Sequence, residues 1–161
     1  MSSNQSERAT GRVGDLRESV IDRLRSHTEL VTLLEQTDDV DDATDVINPS
    51  FRLRIQNQSD DLETPGVAIG VGVITGSSER ENHHERKRLV VQTTIQLREQ
   101  TFKRQGDAWL DDVRDEVSAV LTTHASPWIA RGESGGTFEP LWDENINRYA
   151  SVQQFDIQNF G

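Results

Sequence analysis

The 161-residue chain carries 28 Asp and Glu against 17 Lys and Arg, a net charge of −11, with 33% hydrophobic residues and no cysteine. That length suits one domain. The missing cysteines exclude a disulfide framework, a thiolate metal site and a cysteine nucleophile, and the acidity speaks against a basic nucleic-acid-binding surface.

No apolar run approaches the roughly 20 residues that span a bilayer. Met1–Arg12 has no apolar h-region, so a soluble protein made in the cytoplasm is expected. Even with its 11 glycines counted, the apolar fraction stays below the roughly 45–50% usual in globular domains. The core is therefore modest, and burial against identical copies is expected. Lysine occurs only at Lys87 and Lys103. Heavy acid loading with so little lysine is similar to that of proteins adapted to very high salt, as in halophilic archaea or their viruses. At 1 M salt the screening length is about 3 Å, which mutes self-repulsion.

Residues 1–14 are Ser, Asn, Gln and Arg rich and predict a flexible N-terminal arm, with residues 15–161 forming a single α+β domain. Asp15 with Glu18 has the form of a capping box. Leu16, Val20, Leu24, His27, Val31 and Leu34 then recur at helical spacing and predict one amphipathic helix to about Glu35. Gln36–Asp45 is read as an acidic linker, closed by Asn48-Pro49. Phe51–Ile55 alternates as a short strand, and Thr64-Pro65-Gly66 turns the chain into the next.

Val67, Ile69, Val71 and Val73, then Leu89, Val91, Ile95 and Leu97, alternate as two strands with one buried face. Ala68, Gly70 and Gly72 make the other face of the first strand small, which predicts close approach of another element there. Gln92, Thr94, Gln96 and Arg98 make the other face of the second strand polar. The intervening Ser77–Arg88 reads as a long charged hairpin tip, with Arg80, Arg86, Lys87 and Arg88 as its basic spot.

Gly106-Asp107 is read as the start of a second helix. Its buried stripe is Leu110, Val113, Val117, Val120 and Leu121, with Asp107, Asp111 and Asp112 at the positive end, His124 near the other, and Ser126-Pro127 as the stop. Pro127–Trp142 is read as irregular, with Trp128 assigned to the core and Trp142 open between core and partner contact. Tyr149–Phe160 alternates as a closing strand. The expected fold is a small, mainly antiparallel sheet packed with two helices.

Chemistry-bearing motifs are sparse. Gly132-Glu-Ser134-Gly-Gly136 matches the nucleophile elbow, yet no histidine follows the serine and no helix is expected after it. His83-His84 with Glu81 and Glu85 lacks a second ligand cluster. Asp38-Asp39-Val-Asp41-Asp42 lacks the central glycine and closing glutamate of a calcium loop. Gly70-x-Gly72 fails the dinucleotide fingerprint because Thr75 stands at the third glycine position. No catalytic, metal or cofactor-binding residues are assigned, and a non-enzymatic protein is expected.

The order of elements resembles the tail-completion proteins, the tail terminators of long-tailed phages and their archaeal relatives. The resemblance is carried over Asp15–Phe160 by the Leu/Val-striped helix, the Pro-initiated strand Pro65-x-Val67-x-Ile69, the long polar loop, the second long strand, a helix and a final strand. The Gln36–Asp45 linker and the Pro127–Asn147 excursion depart from that layout. The resemblance implies a structural virion protein, assembled in the host cytoplasm into a homo-oligomeric ring, usually hexameric. One face would cap the tail tube and the other would meet the neck or head-completion protein, with DNA passing through without specific binding. Arg80, Arg86, Lys87, Arg88, Gly70, Gly72 and Trp142 are the candidate subunit or partner contacts. The alternatives are another neck, head-closure or tail-tube protein, or a cytoplasmic halophilic binding module.

Overall fold

The computed structural model describes residues 2–50, 65–77, 87–123, 128–130, 132–136 and 139–160. In chain order these form α1 (Ser2–Ser26), α2 (Thr28–Glu35), a 3-10 turn (Ala43–Val46), β1 (Ile47–Pro49), β2 (Val67–Ser77) and β3 (Lys87–Leu97). Then come α3 (Glu99–Thr122), β4 (Trp128–Ile129), β5 (Glu133–Gly136), β6 (Leu141–Asp143), β7 (Arg148–Ile157) and β8 (Asn159–Phe160).

The main sheet runs β1-β2-β3-β7-β5, with β6 also paired to β7. Among the described residues only the β1–β2 pair is parallel, so the fold is α+β with a mixed, mostly antiparallel sheet. β4 and β8 form a separate two-stranded ribbon. Among the described residues no helix is long and apolar enough to cross a membrane.

The alternation expected of β2 and β3 sets which face is buried. Val67, Ile69 and Val71 lie in register with Leu97, Ile95 and Thr93, and all six are buried. Phe155 of β7 continues this face beside Val91. Against it pack Leu16, Val20, Ile21 and Leu24 of α1, Leu30 and Leu34 of α2, and Leu110, Val113, Val117 and Leu121 of α3. Trp128 is fully buried, and its indole N–H donates to Leu121 O at 2.9 Å. Truncating such a side chain costs about 3–5 kcal/mol.

The N-terminal half departs from expectation in three ways. Helix α1 begins at Ser2, so Asp15 lies inside it rather than at the expected helix start. The single expected helix divides at His27, whose extended backbone (φ −85°, ψ 105°) starts α2 afresh. Among the described residues, α1, α2 and α3 therefore supply the helical layer packed on the sheet. The acidic linker is also partly core: Val40, Ala43 and Val46 are buried, and Asp42 caps the 3-10 turn by accepting from Thr44 N at 3.0 Å.

β1 was not anticipated; it occupies the expected end of the linker, and Pro49 is admissible because β1 is an edge strand among the described residues. Arg25 secures it to α1, its Nη2 donating to Ile47 O at 2.7 Å and to Asn48 Oδ1 at 3.1 Å. The strand expected at Phe51–Ile55 lies outside the described residues.

Helix α3 begins at Glu99, seven residues before the expected start. Gly106 (φ 85°, ψ 173°) is a kink where two helical runs join. Glycine signals the interruption correctly because a left-handed φ suits it; the chain before it is nevertheless helical. The expected stop at Ser126-Pro127 and His124 lie outside the described residues, and the helix ends at Thr122.

Candidate functional site

The sheet turns one side away from α1, α2 and α3. Register places Ala68, Gly70, Gly72 and Ile74 of β2, Val90, Gln92, Thr94 and Gln96 of β3, and Ala150, Val152, Gln154 and Asp156 of β7 on that side. Ala68 and Gly70 are buried there, the Gln92, Thr94 and Gln96 row is half-buried, and Ile74 is exposed. Gln154 Nε2 donates to Gln92 Oε1 at 2.9 Å across the β3–β7 pair. This agrees with the polar second face expected from Gln92, Thr94 and Gln96.

A concavity of about 520 Å³ lies on this side, lined by Ser50, Gly70, Gln92, Thr94, Gln96, Asp143, Asn145 and Ile146. Its wall at one end is the β6–β7 turn. Asp143 Oδ1 holds that turn by accepting from Asn145 N at 3.0 Å, and Asn147 adopts a left-handed φ of 52°. Asparagine tolerates that conformation better than most residues. The lining is mainly amide and hydroxyl groups with one carboxylate, suited to hydrogen bonding rather than to apolar capture.

The two edges of the sheet differ. At one edge, among the described residues, β1 pairs with Ile69–Val71, and the distal part of β2 carries the exposed Ile74. At the other edge β6 presents Leu141, 60% exposed, and Trp142, 44% exposed. Trp142 meets Tyr149 edge-on at 5.1 Å between centroids, and Tyr149 meets Phe102 in the same manner at 5.2 Å. Trp142 is thus anchored on one side to the periphery of the core and open on the other. That combination suits an aromatic contact with a partner.

The remaining residues singled out from the sequence fall as follows. Gly70 lines the concavity, and a Cβ on Gly72 would lie 3.3 Å from Ser50 Oγ, so the small face of β2 does receive a close neighbour. Lys87 and Arg88 begin β3 opposite Ser77 and Gly76. Arg80 and Arg86, like His83, His84, Glu81 and Glu85, lie outside the described residues.

Ser134 is no nucleophile elbow. It sits in β5, its Oγ donating to Gln154 O at 3.2 Å. The register shift between Glu133 and Gly135 leaves Ser134 as the extra residue of a bulge. Gly136 is required because a Cβ there would collide with Val152 O. The Gly-Ser-Gly pattern therefore reports close strand pairing in a stretch expected to be irregular. The acidic run is similarly dispersed: Asp38 pairs with Arg104, Asp39 with Gly66 N and Arg98, and Asp42 with Thr44.

Sequence reading missed a buried polar cluster beneath β7. Arg114 Nη1 donates to Ser151 Oγ, its Nη2 lies 3.4 Å from Glu133 Oε2, and Gln153 Nε2 donates to Glu133 Oε1 at 2.7 Å. Arg114, Ser151 and Gln153 are all buried. The cluster ties α3 to the β5–β7 edge. A second buried guanidinium, Arg148, donates to Pro65 O at 2.7 Å; burial, with the nearby charge of Arg98, pulls it down to about 10 against the opposing effect of Asp39.

The described residues define a small α+β protein with a half-buried polar sheet face and unlike edges. No family model, curated protein or solved structure matches this chain.

Proposed function

We propose that this chain is a structural, non-enzymatic virion protein: the ring-forming tail terminator of a haloarchaeal tailed virus, capping the tail tube and joining it to the neck. The observation that carries the reading is the difference between the sheet edges. Leu141 and Trp142 stand exposed on one edge and Ile74 on the other. A head-to-tail contact between unlike surfaces closes into a ring when its rotation permits, whereas a single self-complementary patch gives only a dimer.

The high-salt setting is supported by the distribution of acid. Asp107, Asp111, Asp112 and Asp115 are all exposed along α3. A ring bearing such a surface repels DNA in its bore, over a distance that salt shortens.

The test is electron microscopy of the purified protein in molar KCl, followed by addition to polymerising tube protein. Rings that halt tube growth support the proposal. Long filaments of this chain alone would instead make it a tube subunit, and particles that never exceed one subunit would remove the reading. The polar concavity favours a second reading, a halophilic binding module. That reading requires saturable binding of a small polar ligand by the single subunit.

A further inference from the structure

His27, Glu29 and Glu116 bring one imidazole nitrogen and two carboxylate oxygens to within 4.8 Å of one another. His27 Nε2 lies 2.5 Å from Glu116 Oε2 and 3.6 Å from Glu29 Oε2. His27 occupies the extended break between α1 and α2, Glu29 the first turn of α2, and Glu116 lies 89 residues from His27 on α3. The helix break is what turns this imidazole out of the α1 stripe and toward α3.

The pair at the centre is partly withdrawn from solvent, with the His27 and Glu116 side chains 27% and 30% exposed. Two carboxylates this close repel each other, in a chain whose net charge is already −11. An imidazolium between them supplies one positive charge, whereas a divalent cation bound by neutral imidazole balances both. One nitrogen with two oxygens is a donor set for first-row transition cations; Mg2+ and Ca2+ favour all-oxygen shells.

We propose that His27, Glu29 and Glu116 form a site for a divalent transition cation of the Zn2+ class, which latches the α1–α2 break to α3. Tetrahedral Zn2+ holds its ligands about 3.3 Å apart. The His27–Glu29 spacing already approaches this, and the His27–Glu116 contact needs to open by less than about 1 Å. The metal binds the neutral imidazole through Nε2, and any proton held there leaves to solvent. A depression of about 210 Å³, lined in part by Arg23, Ser26, His27 and Thr123, opens beside His27, and the exposed Glu29 side leaves solvent to supply the remaining ligand. The site is independent of whether the chain forms rings.

Full-length protein, stripped with a chelator, is titrated with ZnCl2 in buffered KCl by isothermal titration calorimetry, with MgCl2 as the control. The expected result is one Zn2+ per chain, undisturbed by Mg2+, and weakened at least about tenfold in His27→Gln and in Glu116→Gln. Asp111→Asn, elsewhere on α3, leaves it unchanged. No saturable binding overturns the proposal. So does binding that survives both substitutions, which would place the metal at other donors such as His83 and His84. Should a variant lose its circular dichroism spectrum, the wild type decides. The His27 ring-nitrogen resonances shift on Zn2+ addition if the site is real and stay fixed if it is not.

Discussion

Asp39 Oδ2 accepts the backbone N–H of Gly66 at 2.6 Å and so fixes the point where the chain enters β2. The same oxygen lies 3.5 Å from Arg98 Nη1, and Arg98 N donates to Gly66 O at 2.9 Å. With Arg148 bonded to Pro65 O, this knot joins the acidic linker, the start of β2, the end of β3 and the start of β7. A carboxylate that composition alone assigns to solvation holds the register of the central hairpin.

Asp39→Ala removes a charge-assisted hydrogen bond to backbone and is expected to cost about 1.5–3 kcal/mol. Gly66→Ala is expected to cost about 1–3 kcal/mol, because its Cβ would collide with Thr101 Oγ1 and lie 3.2 Å from Thr101 Cβ. Urea unfolding at one fixed KCl concentration measures both. Midpoints equal to wild type for the pair would show that the knot carries no stability.

Arg114→Ala is expected to lower stability by about 1.5–3 kcal/mol, the range for a hydrogen bond to a charged group, because the guanidinium is buried while its partner Glu133 is partly solvated. Its loss strips Ser151 Oγ and Glu133 of a donor and opens a cavity under β7. The signature is selective: hydrogen exchange accelerates in β5 and β7 more than in β1. Uniform acceleration across the sheet would contradict a local tie between α3 and that edge.

The long strands were legible because burial on one face imposes a period of two, as Val67, Ile69 and Val71 and then Val91, Ile95 and Leu97 display. Trp128 belongs to the core as expected. β5 was not legible, since an edge strand of Glu, Ser and Gly has no apolar alternation to read. β1 is three residues long, too short for periodicity. The break at His27 is hidden because an apolar stripe continues on both sides of it. Arg114 reads as helix surface from its type, although it adjoins Val113 on the buried side of α3. Of the candidate contacts, Trp142 and the small face of β2 have a structural setting, whereas the pairing of Trp142 with Tyr149 needed the fold. The metal-ligand triad spans 89 residues between His27 and Glu116, so no local motif announces it.

The Thr44 hydroxyl, and after it the Thr44 backbone N–H, donate to Asp42 Oδ1 and hold the Asp42 carboxyl below the ordinary value of 3.8. A depressed folded pKa gives stability that is present above the unfolded value and lost as pH falls through the folded one. Asp42→Ala and wild type are therefore expected to differ by a constant amount at neutral pH and to converge below about pH 4. Thermal melts between pH 2.5 and 7 check this; a gap that widens on acidification would reverse the sign.

The acid load predicts a fold that gains stability with ionic strength. Screening at molar salt reduces the repulsion among exposed carboxylates such as Asp107, Asp111, Asp112 and Asp115. The melting temperature is expected to rise steadily from dilute buffer to molar KCl. A flat or falling series would contradict adaptation to brine.

Sedimentation velocity of the full-length chain in molar KCl, across a wide range of protein concentration, tests the central claim most directly. The account predicts one closed oligomer of fixed size, near six subunits by the family resemblance, dissociating in Leu141→Asp and weakened in Trp142→Ala by about 2 kcal/mol or more per contact, as for an aromatic hot spot. A single-subunit species at every concentration would contradict it.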